Sequence, residues 1–477
     1  MSAAFEEFLR LSPEEGLAFV HASSEQANAV RRGIGADAFN EFLALAGDAQ
    51  GGGHLGITPE TNLLFLPGIM GSSLGSDQLG GIWWLNPANL GAINKLGLSA
   101  DGLSDAESGA EIVPLTTDHC YTGFLAACRD ESDLHHDRLP YDWRKSLRLS
   151  ADAVRDRIVA IGKTNGGQPV HVVAHSMGGV LIRVALMVHG DELWPRIGRI
   201  VFLGTPHYGA TAIGGYLKNH FWGFNKMVVL AKVLDRSTFR SMRGALGLMP
   251  APSGVYPGTR EGEEHPCANF NMYEAASWHL DLQGKELSQL QAVLDDTAAL
   301  HRDLYAAHTA LPQELRERMA VIAGVGFKTL FRLEYGKKMF VWEHMNKIID
   351  QDPGRPDRMG DGRVPVPSAA LEHVGETRYI RGVHGSLPNI PAVYRDAFRW
   401  LKGEPMELST TIDGALARHM STEDFNSCAP HLDGSAIAIG DDPGYLDLGG
   451  ESDRQTERLV ADVETGHWPA FLPVNIM

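Results

Sequence analysis

The sequence predicts an α/β protein: a mainly parallel β-sheet with helices on both faces and a helical cap over its C-terminal edge. Three observations carry this. Short apolar runs recur along the chain, several of them bounded by Gly or Pro. Stretches of helical length lie between them, the alternation that builds parallel sheets. One strand–turn–helix unit, from Val170 to Leu186, also packs small residues into its turn.

The elements follow in order. Asn62-Leu63-Leu64-Phe65-Leu66 closes at Pro67-Gly68, which fits a buried strand opening into a tight turn. Val170-His171-Val172-Val173-Ala174 follows the turn Gly166-Gly167-Gln168-Pro169, and Gly178 to Leu186 beyond it is long enough for a buried helix. Ile200-Val201-Phe202-Leu203 stops at Gly204-Thr205-Pro206, and Met319 to Gly324 and Thr377 to Ile380 supply two more strands. Between Gly209 and about Arg318 the alternation breaks into a long, helix-rich stretch. The chain therefore divides into a helical extension and linker at 1–60, a core at 61–210, a cap or lid insertion at 211–318, the rest of the core at 319–404, and an acidic, Gly-rich extension at 405–477.

Bulk properties narrow the function. The 477 residues exceed the roughly 250–300 at which one core stops growing, so additions to a core, or two domains, are expected. Hydrophobic residues at 44% and charged residues at 21% exclude disordered and collagen-like classes. A net charge of -17 argues against nucleic acid as a partner. None of the cysteines Cys120, Cys128, Cys267 and Cys428 forms a CxxC pair, so free thiols are expected rather than a zinc ribbon or a Cys120–Cys128 bridge. The dense polar group Asp133-Leu134-His135-His136-Asp137 reads as a solvated loop, and neither a metal nor a cofactor is expected. The opening segment has no basic stretch followed by an apolar one, so a cytoplasmic location is the expectation.

Ala174-His175-Ser176-Met177-Gly178 fits a nucleophile elbow, with alanine in the first small position. A serine on a strained strand-to-helix turn needs small neighbours, because strand and helix backbones crowd there. The helix that begins beside it aims its positive end at the reaction centre. This makes Ser176 the candidate nucleophile and the α/β-hydrolase fold the specific expectation. Acyl transfer then needs two N–H donors for the oxyanion. Met177 supplies one, and Ile69, in the loop Pro67-Gly68-Ile69-Met70-Gly71-Ser72-Ser73, is the choice for the other.

In this fold the acid and then the histidine follow the serine. Asp361 lies between glycines in Gly360-Asp361-Gly362-Arg363-Val364-Pro365, and His384 lies in Gly382-Val383-His384-Gly385 after a strand. Such a histidine takes the serine proton near neutral pH while the aspartate fixes its tautomer. His373 and His265 are alternative bases, and Asp352 and Asp357 alternative acids.

These blocks resemble the lecithin:cholesterol acyltransferase-like hydrolases, a family that includes lysosomal phospholipase A2 and phospholipid:diacylglycerol acyltransferase. The likeness rests on Leu66 to Ser72, Leu139-Pro140-Tyr141-Asp142-Trp143-Arg144, Ala174 to Gly179, Gly204-Thr205-Pro206, Gly360 to Pro365 and His384. Tyr-Asp-Trp-Arg is the most family-specific of them. The resemblance implies that Ser176, Asp361 and His384 match the family's triad and Ile69 and Met177 its oxyanion donors. It also implies acyl-ester substrates, commonly lipids, with hydrolysis or acyl transfer as the outcome.

Two apolar segments complete the reading. Phe221-Trp222 opens a greasy stretch running to Leu234, which reads as a lid lining an acyl pocket or as an inner core helix. Trp83 and Trp84 form a second patch, which the resemblance places on a substrate-binding or membrane-touching face and which the residues alone fit equally to buried packing. The expected function is a serine esterase or lipase, with acyl transfer and a non-catalytic hydrolase-fold binding module as alternatives. The expected partners are an ester or lipid substrate and a transient lipid interface.

Overall fold

The computed structural model describes residues 3–8, 13–34, 39, 57–76, 78–79, 82–84, 94–99, 102–217, 236–267, 269–327, 329–333 and 360–418. Six parallel strands form the main sheet: β1 (Thr61–Leu66), β5 (His135–Arg138), β6 (Val170–His175), β7 (Ile197–Leu203), β8 (Met319–Val325) and β9 (Glu376–Arg381). Their spatial order is β5-β1-β6-β7-β8-β9. A separate antiparallel sheet, ordered β3-β2-β4, joins β2 (Ser72–Ser76), β3 (Ile82–Trp84) and β4 (Ile112–Thr117).

The near-continuous apolar runs follow from burial on both faces of the main sheet. Leu64, Leu66, Val172, Ala174, Phe202 and Val321 belong to one core layer, and Leu63, Phe65, Val173, Val201, Leu203 and Ile322 to the other. The first layer is closed by α5 (Leu147–Thr164) and α6 (Met177–Leu193), the second by α4 (Thr122–Asp130) and α8 (Pro391–Lys402). Leu147, Ala151, Val154, Ile158 and Ile161 recur at helical spacing and give α5 one buried face. Full burial of a leucine contributes about 2 kcal/mol, so Leu63, Leu64 and Leu66 hold the short β1 in place.

Within the insertion, α7 (Gly284–Ala310) packs on α6, where the Leu304 carbonyl accepts from Arg183 Nη2 at 3.4 Å. Three helices precede the core, α1 (Ala3–Phe8), α2 (Pro13–Ala22) and α3 (Ser24–Ile34), the last in contact with both others. The lid segment from Phe221 to Leu234 and the acidic stretch beyond residue 418 lie outside the described residues. Among the described residues, no helix is long and apolar enough to cross a membrane.

The sheet corrects one expectation. The polar group around His135 is the edge strand β5 rather than a solvated loop, with His135 paired to Thr61 and Arg138 to Phe65. Asp137 is buried and receives the Arg157 guanidinium, Nη2 to Oδ1 at 2.7 Å. Backbone pairing and this ion pair replace the apolar pattern that would have announced a strand. Cys120, Cys128 and Cys267 are free thiols.

The strand order positions the functional site. After β1 the chain turns outward to β5, and after β6 it turns the other way through β7, β8 and β9. Loops leaving the carboxyl ends of β1 and β6 therefore diverge and open a crevice, the switch point where α/β sheets bind ligands.

Candidate active site

Ser176 occupies the turn between β6 and α6, with φ 51° and ψ −124°. A non-glycine residue at positive φ carries strain of roughly 1–3 kcal/mol. Its amide donates to the Leu203 carbonyl at 2.9 Å, and Gly179 N–H donates back to the Ser176 carbonyl at 3.0 Å. Close packing demands the small residues beside it. A Cβ on Gly178 would lie 2.5 Å from the carbonyl oxygens of both Leu66 and Pro67, and one on Gly179 would lie 2.0 Å from Thr205 Oγ1. The helix start is thus pressed against the end of β1.

The three candidate triad side chains meet in one row. Ser176 Oγ is 2.8 Å from His384 Nε2, and His384 Nδ1 is 2.7 Å from Asp361 Oδ2. With the carboxylate accepting from Nδ1–H, Nε2 offers its lone pair to the serine hydroxyl. The other carboxylate oxygen, Oδ1, accepts the amides of Arg363 at 2.9 Å and Val364 at 2.7 Å, so the acid is held by its own loop. Asp361 also accepts the His384 amide through its backbone carbonyl at 2.9 Å. The histidine side chain retains 12% exposure while the aspartate side chain has none. Such a row can move a proton from hydroxyl to ring and steady the imidazolium that results.

The alternatives lie elsewhere. His265 Nε2 donates to the Ala251 carbonyl at 2.8 Å, and His373 is exposed. Asp352 and Asp357 fall outside the described residues.

The loop after β1 runs alongside the nucleophile: a Cβ on Gly68 would stand 2.9 Å from Ser176 Cβ. Ile69, the expected oxyanion donor, is half-buried in this loop, and Met177, the other, is the first residue of α6. Tyr-Asp-Trp-Arg clamps the loop from behind. Tyr141 O–H donates to the Pro67 carbonyl at 3.1 Å, Tyr141 N–H to Ser72 Oγ at 3.1 Å, and Trp143 Nε1–H to the Ser72 carbonyl at 3.2 Å. Arg144, fully buried, anchors the motif. It donates to Asp142 Oδ1 at 2.9 Å and Oδ2 at 2.6 Å, to Asp105 at 2.8 Å and to the Leu96 carbonyl at 2.8 Å. A buried guanidinium needs such compensation. The motif acts here as a structural corner beneath the site.

The tentative substrate residues divide. Trp84 is buried against Trp143, ring centroids 5.2 Å apart, and its Nε1–H donates to the Met70 carbonyl at 3.3 Å. Trp83 is buried as well, with Lys95 Nζ 5.7 Å from its ring. Trp84 thus supports the loop from the core side. Phe221 and Trp222 lie outside the described residues.

Sequence reasoning missed Tyr121. Its hydroxyl accepts the Gly68 amide at 2.7 Å and lies 2.9 Å from His175 Nδ1. No sequence signal pointed to it, because it stands 55 positions before the serine in an unremarkable polar stretch. Among the described residues, no group of three or more His, Cys, Asp or Glu is arranged to hold a metal.

Residues 135–264 match the family model for lecithin:cholesterol acyltransferase. This span contains Tyr141 to Arg144, the Ser176 turn and Gly204 to Pro206. Lecithin-cholesterol acyltransferase-like 4 of Arabidopsis thaliana is 27% identical over an alignment of 107 residues, and the match covers 19% of this chain and 20% of that relative. The match thus spans about a fifth of the relative's length. Among solved structures, the Tle4–Tli4 complex aligns with a TM-score of 0.48 at 15% identity, covering 75% of this chain and 99% of that one. The mature form of the Bacillus licheniformis lipase BlEst2 aligns with a TM-score of 0.35 at 12% identity, covering 72% and 91%.

Proposed function

For a chain that is lecithin:cholesterol acyltransferase-like in sequence and carries an α/β-hydrolase sheet, we propose an acyl-ester hydrolase of lipid substrates in which Ser176 is the nucleophile. The observation that carries the reading is the row Ser176 Oγ, His384, Asp361, closed by contacts of 2.8 and 2.7 Å at the switch point of the sheet.

In this mechanism the Ser176 hydroxyl proton passes to His384 Nε2 as Oγ bonds to the ester carbonyl carbon. The carbonyl oxygen becomes an oxyanion facing the N–H groups of Ile69 and Met177, each such donor contributing about 3–4 kcal/mol. The carbon–alkoxy bond then breaks, and His384 returns its proton to the departing alcohol oxygen. Water, deprotonated by the same ring, attacks the acyl carbon; the bond from that carbon to Ser176 Oγ then breaks, His384 returns the proton to Oγ, and the acid leaves. The family match favours a second outcome at the same intermediate, in which an acceptor alcohol takes the place of that water.

The test is Ser176→Ala assayed on p-nitrophenyl esters of increasing chain length, with and without a lipid dispersion and an added alcohol. Turnover should fall by at least about 10³-fold with the melting temperature retained. Labelling by a fluorophosphonate should vanish in parallel. Undiminished turnover in the variant sinks the proposal, and ester products formed from the added alcohol identify transfer.

A further inference from the structure

We propose that Tyr121 and His175 are positioning residues that lock the loop after β1 to the loop after β9 across the nucleophile turn. This rests on reading Ser176, His384 and Asp361 as the reacting row.

Three contacts make the link. Gly68 N–H donates to Tyr121 Oη at 2.7 Å, Tyr121 Oη lies 2.9 Å from His175 Nδ1, and His175 Nε2 lies 3.1 Å from the backbone carbonyl oxygen of His384. Chemistry fixes the direction of each. A carbonyl oxygen only accepts, so His175 carries its ring proton on Nε2 and donates to His384. Nδ1 then holds a lone pair, and the Tyr121 hydroxyl donates to it. The tyrosine oxygen is left free to accept from Gly68, so every member is satisfied in a single arrangement. Burial holds the Tyr121 hydroxyl well above its ordinary range, so it keeps its proton at any working pH.

The fold explains why such a tie is useful. β1 and β9 are separated in the sheet by β6, β7 and β8, so no strand pairing connects their loops. One loop carries the Ile69 amide, and the other carries the base. His175 sits between them, one residue before Ser176, its ring centroid 4.9 Å from that of His384. Neither Tyr121 nor His175 is assigned a contact with the reacting atoms. They act through the backbones of Gly68 and His384, and a displacement of about 1 Å in such a site costs on the order of 10²-fold in rate.

The experiment measures kcat and KM for wild type, Tyr121→Phe, His175→Gln and the double variant on one soluble p-nitrophenyl ester. Each single change should lower kcat roughly 10- to 100-fold with KM changed less than about threefold, and the double variant should fall no further than the worse single one. Wild-type kcat in Tyr121→Phe, or losses that multiply in the double variant, would overturn the proposal. Nitrogen NMR of histidine-labelled wild-type protein, with the His175 signals assigned by their loss in His175→Gln, reads the network without relying on a damaged fold. At pH 8 the Nε2–H tautomer is expected, and the Nδ1–H tautomer would overturn the proposal. Activity surviving Ser176→Ala would refute the underlying reading instead, and the tautomer would still report on the tie.

Discussion

Asp361 divides its two carboxylate oxygens between tasks. Oδ2 accepts the hydrogen bond from His384 Nδ1–H, while Oδ1 accepts two amides of its own loop. This separation makes a clean substitution available. In Asp361→Asn the side-chain oxygen can keep the amides of Arg363 and Val364, and the amide NH₂ then faces His384 Nδ1. The ring must adopt the other tautomer, with its proton pointing at the serine. We expect kcat to fall about 10³- to 10⁴-fold while the thermal melt stays close to wild type. Steady-state kinetics beside a circular-dichroism melt check this, and a variant with more than a tenth of wild-type kcat would contradict it.

At the scale of elements, the junction of β1, β6 and α6 decides whether the site forms. Gly178 and Gly162 make a matched pair of tests. A Cβ on Gly178 would meet two backbone carbonyl oxygens at 2.5 Å, and neither oxygen can swing aside as a side chain would. Gly162 lies in α5 with nothing within 4 Å of the same added atom. Gly178→Ala should lower the melting temperature, at a cost of roughly 1–3 kcal/mol, and should lower kcat because α6 must shift from β1. Gly162→Ala should leave kcat unchanged and raise stability by about 0.5–1 kcal/mol, since alanine restricts the unfolded chain. Equal melting temperatures for the two variants would contradict the packing account.

On the scale of the whole molecule, buried histidines should weaken the fold in acid. Burial pushes His301 and His308 down from the ordinary 6.5 to about 4, and His207 lies well below it for the same reason, aided by the Arg183 charge. Arg183 is itself buried, donating to the His207 carbonyl at 3.0 Å. Below pH 6.5 the unfolded chain binds protons at these positions that the folded chain refuses, so unfolding takes up protons. Their contribution is complete above about pH 6.5 and is lost as pH falls toward 4. Thermal melts from pH 8 to pH 4 should be level at the upper end and then drop, with a shallower drop in His301→Gln. A melting temperature constant down to pH 4 would contradict this.

What could be read from the chain alone was whatever has a short-range physical signature. Apolar runs marked β1, β6, β7 and β8, because strands buried on both faces have no polar alternation to hide in, while β9, at the sheet edge, showed only as the short run through Tyr379 and Ile380. The crowded turn at Ser176 showed itself through its small neighbours, and the loops of Asp361 and His384 through their glycines and their order. β5 was invisible, since backbone pairing and an ion pair from Arg157 hold a strand that lacks an apolar pattern. Tyr121 and the clamp of Tyr141 on Pro67 were equally hidden: both join residues more than fifty positions apart. Only the folded sheet, by reversing direction between β1 and β6, brings those distant groups to one crevice, because proximity across the sheet depends on strand order and not on spacing along the chain.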